Sequence, residues 1–539
     1  MKKNISYTIN KRPLAIFLFF CVTLSGLTVR LARLMTGANS LSASYADEKS
    51  ITLDVSRGYI YDRNLYPLVN NTEKNITAVI LNDITRKYFT EGQFGGAEIS
   101  SSGIMVTFES DKEQEETLFC TNIKTVLRYS DEFLCPHIIG YINSDGKGVC
   151  GIEKSFDKIL YNASGRIGVK YTANATGGAI AGTGIEEVND GYNNPSGIVL
   201  TIDKDIQAIT ENALKNSDIK TGAAVVLKVE TGEILAISSI PSFNVNNLDK
   251  ALSDPLLPFL NRALSAYPVG SVFKPFIAAA ALENGVSLPD NYFCTGKTDI
   301  GNLSFRCYNS VSHGELDINR AICKSCNSYF ISLGQETGAE KLHGICSNFG
   351  FGKEIRLTGD IKSAEGNLPD EKSLSSPGAL ANLCFGQGDL LATPLQLASA
   401  FNALASNGIY KEPYITKALI NENKEEYAYF KSEEPYRAVS AETSEKINSA
   451  LNLNMLEGTG KQGNSEFFSS AGKTATAQTG KYDSDGKEKL CTWFCGFFPY
   501  ESPKYTIVVF SENGSSASEE CAPVFKRISE GIYFAGIND

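Results

Sequence analysis

The first pattern in the chain is a continuous apolar run from Leu14 to Val29. The run is longer than a usual signal-peptide core and slightly short for a full span, and we interpret it as a membrane-spanning helix. Because more positive charge lies close to its amino-terminal side, we expect the N-terminus to stay in the cytoplasm. We therefore expect residues 1–35 to form a short cytoplasmic tail and an uncleaved transmembrane anchor, with the rest of the chain exported. A cleaved secretory signal is the alternative. The basic residues before the run are Lys2, Lys3, Lys11 and Arg12.

Between the anchor and residue 195 the apolar runs are short and irregular, and turn residues are frequent. Two breaks end this region: a Gly-rich stretch at 175–184 and the sequence Asn193-Asn194-Pro195-Ser196-Gly197. We expect a first domain over residues 36–195 and a second domain over residues 196–539.

After residue 196 the pattern becomes regular, with two early and three late strand candidates. An alanine-rich segment at 271–283 predicts a helix, and Gly285 is placed to stop it. Strands at both ends of the domain, together with terminal helices, predict an α/β fold of the α+β type. In this fold an antiparallel sheet is flanked by helices and the middle, about 250–460, is a helical insertion. The strand candidates are 223–229, 234–240, 473–478, 492–498 and 505–510, and a last helix is predicted at 524–534.

The net charge is -11 and the pI about 5.1, which argues against a nucleic-acid partner. The chain has only three histidines and no H-E-x-x-H motif, so it offers few ligands for a metal-dependent hydrolase. Thirteen cysteines include the close pairs Cys323/Cys326 and Cys491/Cys495, but the first pair lacks a second pair at zinc spacing. We interpret these cysteines as small buried residues and expect no metal and no cofactor.

The first candidate catalytic motif is Ser271-Val272-Phe273-Lys274, at a predicted helix start. Residues three apart share a helix face, so Lys274 can reach the Ser271 hydroxyl. A serine is a weak nucleophile until a base takes its proton, and a lysine whose pKa is lowered by burial can be that base. Alone, this spacing is common and is compatible with a solvated helix face.

Two further motifs follow, and each is weak by itself. Ser325-Cys326-Asn327 offers a hydroxyl that can relay a proton and an amide that can orient the lysine and a substrate carbonyl. Lys473-Thr474-Ala475-Thr476 begins a strand candidate, where a lysine and a hydroxyl can hold a carboxylate. An edge strand there can pair with an extended peptide, and backbone N–H groups at Ser271 and near Thr476 can form an oxyanion hole.

Together the motifs S-x-x-K, S-x-N and K-T-A, in this order, resemble the active-site set of the penicillin-recognising serine enzymes. The resemblance extends to class B penicillin-binding proteins. Their first pedestal motif is similar to Arg57-Gly58-Tyr59-Ile60-Tyr61-Asp62-Arg63-Asn64, and a later one is similar to Gly148 with Gly151-Ile152-Glu153. Segments similar to the transpeptidase domain are Pro241-Ser242-Phe243-Asn244, Gly386-Gln387-Gly388, Thr393-Pro394-Leu395-Gln396 and Ala522-Pro523-Val524-Phe525.

The resemblance implies an elongated pedestal domain and a β-lactamase/transpeptidase-like domain that cross-links peptidoglycan stem peptides and is acylated by β-lactams. It implies Ser271 as nucleophile, Lys274 as base, Ser325 as proton relay and Asn327 as orienting residue. Lys473 and Thr474 would bind the substrate carboxylate, and Thr476 would lend a backbone N–H to the oxyanion hole. It also implies a glycosyltransferase partner.

One departure is Ala475, where the family usually has glycine, and it puts rate and drug affinity in doubt. Two other function classes stay open. A D,D-carboxypeptidase or β-lactamase would use water as acceptor, and a non-catalytic scaffold or sensor would bind β-lactams without turnover.

Overall fold

A computed structural model describes residues 11–36, 47–91, 94, 104–110, 112–174, 180, 183–289, 291–430 and 432–537. Lys2, Lys3 and most of the predicted Gly-rich break at 175–184 lie outside the described residues. The apolar run forms the helix Lys11–Thr36. Among the described residues, this is the one helix long and apolar enough to cross a membrane, over Arg12–Arg33.

The chain folds into two units. The smaller unit contains Met1–Ser56, Thr72–Leu127 and Ser164–Asn193, and the larger contains Arg57–Asn71, Arg128–Ala163 and Asn194–Asp539. The smaller unit has two three-stranded antiparallel sheets and the short helix Asp83–Thr90. Their strands, in sheet order, are Asp47–Val55, Arg166–Ala173 and Ile185–Asp190, then Met105–Ser110, Thr72–Ile80 and Cys120–Leu127.

The centre of the larger unit is a five-stranded antiparallel sheet, which confirms all five predicted strands. Successive side chains of a strand point to opposite faces. Val225 and Trp493 accordingly pack in one hydrophobic cluster, and Val226 and Phe494 pack in another. Both faces are covered, so the inner strands are largely apolar, whereas the edge strand Ala471–Tyr482 carries several polar residues. In sheet order the strands are Ile234–Ile240, Gly222–Lys228, Tyr505–Gly514, Glu488–Phe498 and Ala471–Tyr482.

Helices flank this sheet as predicted. Lys204–Lys215 and Cys521–Phe534 contribute to the Val226 cluster, and Pro394–Ala405 contributes to the Val225 cluster. The predicted insertion mixes helices with many short strands, so it is less helical than predicted. Its helix Lys274–Glu283 is buried almost all round, as an apolar helix without a polar face should be. Its other helices are Leu248–Leu252, Ile318–Cys323, Asn327–Thr337, Ala339–Asn348, Pro377–Cys384 and Ala441–Glu457.

Several short elements complete the larger unit, and most of them were not predicted. A four-stranded sheet joins Tyr59–Tyr61, Gly197–Leu200, Thr416–Ile420 and Glu426–Tyr427. Two-stranded pairs join Phe293–Cys294 with Gly314–Glu315, Lys297–Ile300 with Leu303–Arg306, Tyr267–Pro268 with Leu391–Ala392, Arg356–Thr358 with Ile361–Lys362, and Ile409–Tyr410 with Tyr436–Arg437. Short helices are Pro136–Ile139, Gly151–Ser155 and Asp157–Asn162.

A buried ion-pair cluster joins the two pedestal-like motifs inside the larger unit. Arg57 Nε donates to Glu153 Oε2 at 2.9 Å, and its Nη2 donates to Asp157 Oδ1 at 2.7 Å. Arg128 Nη2 donates to Glu153 Oε1 at 2.6 Å. Arg57 and Glu153 are both buried, so the two guanidinium groups offset the cost of burying the Glu153 carboxylate.

Candidate active site

Ser271 lies on the 3-10 turn Gly270–Phe273, which runs directly into the helix Lys274–Glu283. This matches the predicted helix start, with the first turn wound more tightly. Val272 and Phe273 are fully buried, whereas Ser271 is half-buried. The turn therefore anchors itself through its apolar residues and leaves the serine accessible.

Two hydrogen bonds fix the segment that leads into this turn. The Gly270 N–H donates to the Gly386 carbonyl at 2.7 Å. Trp493 Nε1 donates to the Pro268 carbonyl at 2.9 Å. Gly270 has a φ of +68°, a conformation that favours glycine. The Gly386-Gln387-Gly388 segment thus supports the turn that carries Ser271.

Lys274 is completely buried. Its Nζ donates to the Ser325 carbonyl at 2.6 Å, to Ser325 Oγ at 3.1 Å and to Asn327 Oδ1 at 2.7 Å. Burial lowers the pKa of Lys274 from its ordinary value of 10.5 to about 7. A substantial fraction of the side chain is therefore a neutral amine at neutral pH, which is the form that accepts a proton.

The S-x-N motif lies at the junction between the helices Ile318–Cys323 and Asn327–Thr337. Ser325 occupies the left-handed region, with φ at +55°, and turns the chain from one helix into the next. Asn327 Nδ2 donates to the Arg306 carbonyl at 2.9 Å, which directs Oδ1 towards Lys274. The structure therefore brings the first two motifs together around one amine.

The third motif lies on Ala471–Tyr482, an edge strand of the central sheet, as predicted. Lys473 is completely buried, and its Nζ donates to the Thr474 carbonyl at 3.0 Å. Burial, and then the charge of Lys274, lower the pKa of Lys473 well below its ordinary value. Thr474 Oγ1 donates to Thr459 Oγ1 at 2.6 Å, and Thr476 is exposed. Thr459 belongs to none of the three motifs and was not predicted as a site residue.

The edge strand Ala471–Tyr482 packs directly against the turn Gly270–Phe273, which carries Ser271. A Cβ added at Gly270 would lie 3.3 Å from the Ala475 Cβ and 3.1 Å from the Ala477 Cβ. Because the turn presents a glycine here, the extra methyl group of Ala475 finds space. This explains how the strand tolerates alanine where the family usually has glycine.

Comparisons with known proteins agree with this geometry. The profile of the family described as "Penicillin binding protein transpeptidase domain" matches residues 222–530. Stage V sporulation protein D of Bacillus subtilis is 28% identical, over 94% of this chain and 82% of that protein. Peptidoglycan D,D-transpeptidase MrdA of Haemophilus influenzae is 30% identical, over 72% of this chain and 63% of that protein.

Solved structures show the same fold. A chain in the structure described as "Structural coordination of polymerization and crosslinking by a peptidoglycan synthase complex" has a TM-score of 0.71 at 22% identity. That similarity covers 98% of this chain and 99% of the other. The segment that the family profile matches, residues 222–530, includes Ser271, Lys274, Ser325 and Lys473. This chain belongs to the penicillin-binding protein transpeptidase family.

Proposed function

We propose that this chain is a serine D,D-transpeptidase that cross-links peptidoglycan stem peptides through an acyl-enzyme on Ser271. The observation that carries the proposal is the Lys274 amine, buried and hydrogen-bonded to both polar residues of the S-x-N motif. A solvated lysine on a helix face would have neither the lowered pKa nor these three acceptors.

In the first step the neutral amine of Lys274 takes the Ser271 hydroxyl proton as Ser271 Oγ attacks the carbonyl of the penultimate D-alanine. An ester forms, and the bond to the terminal D-alanine breaks. The leaving amine needs a proton, and Ser325 Oγ, at 3.1 Å from Lys274 Nζ, relays it. Asn327 holds the amine in place.

The third motif recognises the substrate. The Thr474 hydroxyl binds the terminal carboxylate, while the buried Lys473 acts through its charge. Binding of an anion favours the protonated form of Lys473, and that charge in turn favours the neutral form of Lys274. Substrate binding thereby prepares the base. The backbone N–H groups of Ser271 and Thr476 stabilise the oxyanion.

In the second step an amine of a neighbouring stem peptide attacks the ester, forms the cross-link and frees Ser271. With a β-lactam the acyl group stays, because the drug fills the acceptor site. The sequence 328–472 also lacks the E-x-x-L-N motif of the class A β-lactamases, whose glutamate activates the deacylating water.

The N-terminal helix supports a single-pass anchor. We propose that the catalytic domain lies outside the cytoplasmic membrane, because more positive charge precedes the helix than follows it closely. We propose residues 36–195 as a pedestal, of which Arg57–Asn71 and Arg128–Ala163 fold within the larger unit, and residues 196–539 as the transpeptidase domain. A glycosyltransferase partner would supply glycan strands, as suits a chain similar to one in a peptidoglycan synthase complex.

Product analysis distinguishes this function from the alternatives. The full-length chain in detergent is incubated with glycan strands carrying pentapeptide stems and an isotope-labelled D-amino acid as acceptor. A transpeptidase releases D-alanine and incorporates the label, and the Ser271→Ala variant does neither. Release of D-alanine without incorporation would indicate a carboxypeptidase, and no release would indicate a scaffold or sensor.

Protease protection tests the topology. Protease added to intact spheroplasts should digest the large domain, because that domain is exported. Protection of the domain would contradict the proposed orientation.

A further inference from the structure

The Thr474 hydroxyl, the proposed ligand of the substrate carboxylate, already has a partner in the protein. Thr474 Oγ1 donates to Thr459 Oγ1 at 2.6 Å, and the Thr459 hydroxyl donates in turn to Asn454 Oδ1 at 3.1 Å. Each hydroxyl has a single proton, so both protons are already in use. A carboxylate can only accept hydrogen bonds, and beside Thr474 it would meet oxygen lone pairs. The hydrogen bonds of this pair must therefore rearrange when an anion binds.

Asn454 fixes the inner end of this row of hydrogen bonds. It lies on the helix Ala441–Glu457 and is completely buried. Its Nδ2 donates to the Gly472 carbonyl at 2.8 Å, and its Oδ1 accepts from the Thr459 N–H at 3.0 Å. These two bonds give the amide one orientation, with Oδ1 towards Thr459. Because the Thr459 N–H satisfies Oδ1, the hydroxyl proton can turn away without leaving a buried acceptor unpaired.

Two glycines hold the turn that carries Thr459 against this amide. A Cβ added at Gly458 would lie 2.4 Å from Asn454 Oδ1, and a Cβ added at Gly460 would lie 2.7 Å from Asn454 Nδ2. Both distances are shorter than packed side chains allow, so only glycine fits on either side of Thr459. Thr459 itself is exposed. Packing of its neighbours thus places the Thr459 hydroxyl, while the hydroxyl proton stays free to rotate.

We propose that Thr459 is a positioning residue for carboxylate recognition, and that its hydroxyl proton turns from Asn454 to Thr474 when substrate binds. The Thr474 proton then points to the carboxylate, and the Thr459 proton lies between the two hydroxyl oxygens. Without a proton there, two oxygens 2.6 Å apart would repel each other through their lone pairs. The bonds from Thr459 to Thr474 to carboxylate run in one direction, so each polarises the next. Both protons stay on their own oxygens, and no covalent bond changes.

Lys473 also contacts the Thr459 hydroxyl, but less closely. Its Nζ lies 3.4 Å from Thr459 Oγ1, beyond the usual range for such a bond, and donates to the Thr474 carbonyl at 3.0 Å. The Thr459 oxygen can still accept from Lys473 after its proton has turned to Thr474. Loss of the Thr459 hydroxyl should therefore act through Thr474. This inference rests on the proposed function, because it requires that Thr474 binds the carboxylate.

Stopped-flow acylation of the full-length chain in detergent by benzylpenicillin tests the role of this hydroxyl. Thr459→Ala should lower the second-order rate constant about tenfold, because one hydrogen bond to a charged group is impaired. Thr459→Ser keeps the hydroxyl and should stay within about threefold of wild type. The control is Thr231→Ala, in the turn at the opposite edge of the sheet, where a threonine hydroxyl donates to Glu233 Oε2 at 3.1 Å. This control should leave acylation unchanged.

A double-mutant cycle shows whether Thr459 acts through Thr474. In the Thr474→Ala background, Thr459→Ala should change the rate constant by less than about twofold, because the hydroxyl that it positions is already gone. Equal losses in both backgrounds would overturn the positioning role. So would a Thr459→Ala variant as fast as wild type, or a Thr459→Ser variant as slow as Thr459→Ala. A wild-type chain that benzylpenicillin does not acylate would instead contradict the proposed function.

Discussion

Replacing Lys274, the proposed catalytic base, by an apolar residue should stabilise the fold while it abolishes acylation. A pH unit of pKa lowering corresponds to about 1.4 kcal/mol. A pKa lowered from 10.5 to about 7 therefore costs the folded state about 5 kcal/mol at pH 7. Lys274→Met removes this cost and keeps most of the buried volume.

The opposing term is the loss of three hydrogen bonds. Ser325 and Asn327 are half-buried, so water can reach their oxygens, and each lost bond costs about 1 kcal/mol. The net prediction for Lys274→Met is a gain in the free energy of unfolding of about 2 kcal/mol at pH 7.

This gain must depend on pH with a definite sign. Between about pH 7 and 10.5 the unfolded wild-type chain carries a proton on Lys274 that the folded chain lacks. Wild-type stability therefore rises with pH by about 1.4 kcal/mol per unit relative to the variant. The two proteins should be equally stable near pH 8.5, about one and a half units above the folded pKa.

Urea denaturation followed by tryptophan fluorescence provides the assay. Trp493 is the only tryptophan in the chain and is buried in the central sheet, so its emission reports unfolding of the catalytic unit. The control Lys341→Met, at an exposed lysine, should change stability by less than about 0.5 kcal/mol at any pH. A Lys274→Met chain less stable than wild type at pH 7, or a difference independent of pH, would refute the reasoning.

Three further predictions address the base, the strand contact and the ion-pair cluster. The rate of acylation by penicillin should rise with pH through about 7 and then level off, since the neutral Lys274 amine is the proposed base and burial lowers its pKa to about 7; a stopped-flow profile flat between about pH 6 and 8 would contradict this. Gly270→Ala should slow acylation about tenfold, because a side chain at φ +68° costs about 1–2 kcal/mol and crowds the edge strand. Adding Ala475→Gly should restore part of the rate, and a double mutant no faster than Gly270→Ala would refute the contact. Arg57→Met should lower the free energy of unfolding by about 3 kcal/mol, because it removes one partner of the buried Glu153, yet leave acylation unchanged; a slowed acylation at full stability would contradict a structural role.

Four strands of the central sheet were predictable because they are apolar runs bounded by turn residues, whereas the fifth, Ala471–Tyr482, contains several polar residues. Short elements gave no such signal. Strands such as Phe293–Cys294 and Gly314–Glu315 are too short to show a period of two, so the segment that contains them was predicted only as part of a helical insertion.

The contacts of the candidate active site were also predictable only in part. Spacing predicted that Lys274 would lie near Ser271, because both belong to one helical turn. The contact of Lys274 with Asn327 joins residues 53 positions apart, so the spacing along the chain does not predict it. The complete burial of Lys473 and its contact with Thr459 depend on packing around the edge strand, which no motif encodes.

The measurement that tests the central claim most directly is the site of covalent labelling by a β-lactam. The full-length chain is treated with penicillin, digested and mapped by mass spectrometry. We predict a single penicilloyl adduct on the peptide that contains Ser271, and its absence in a folded Ser271→Ala variant. An adduct on another residue, or none after long exposure to several β-lactams, would contradict the assignment of Ser271 as the nucleophile.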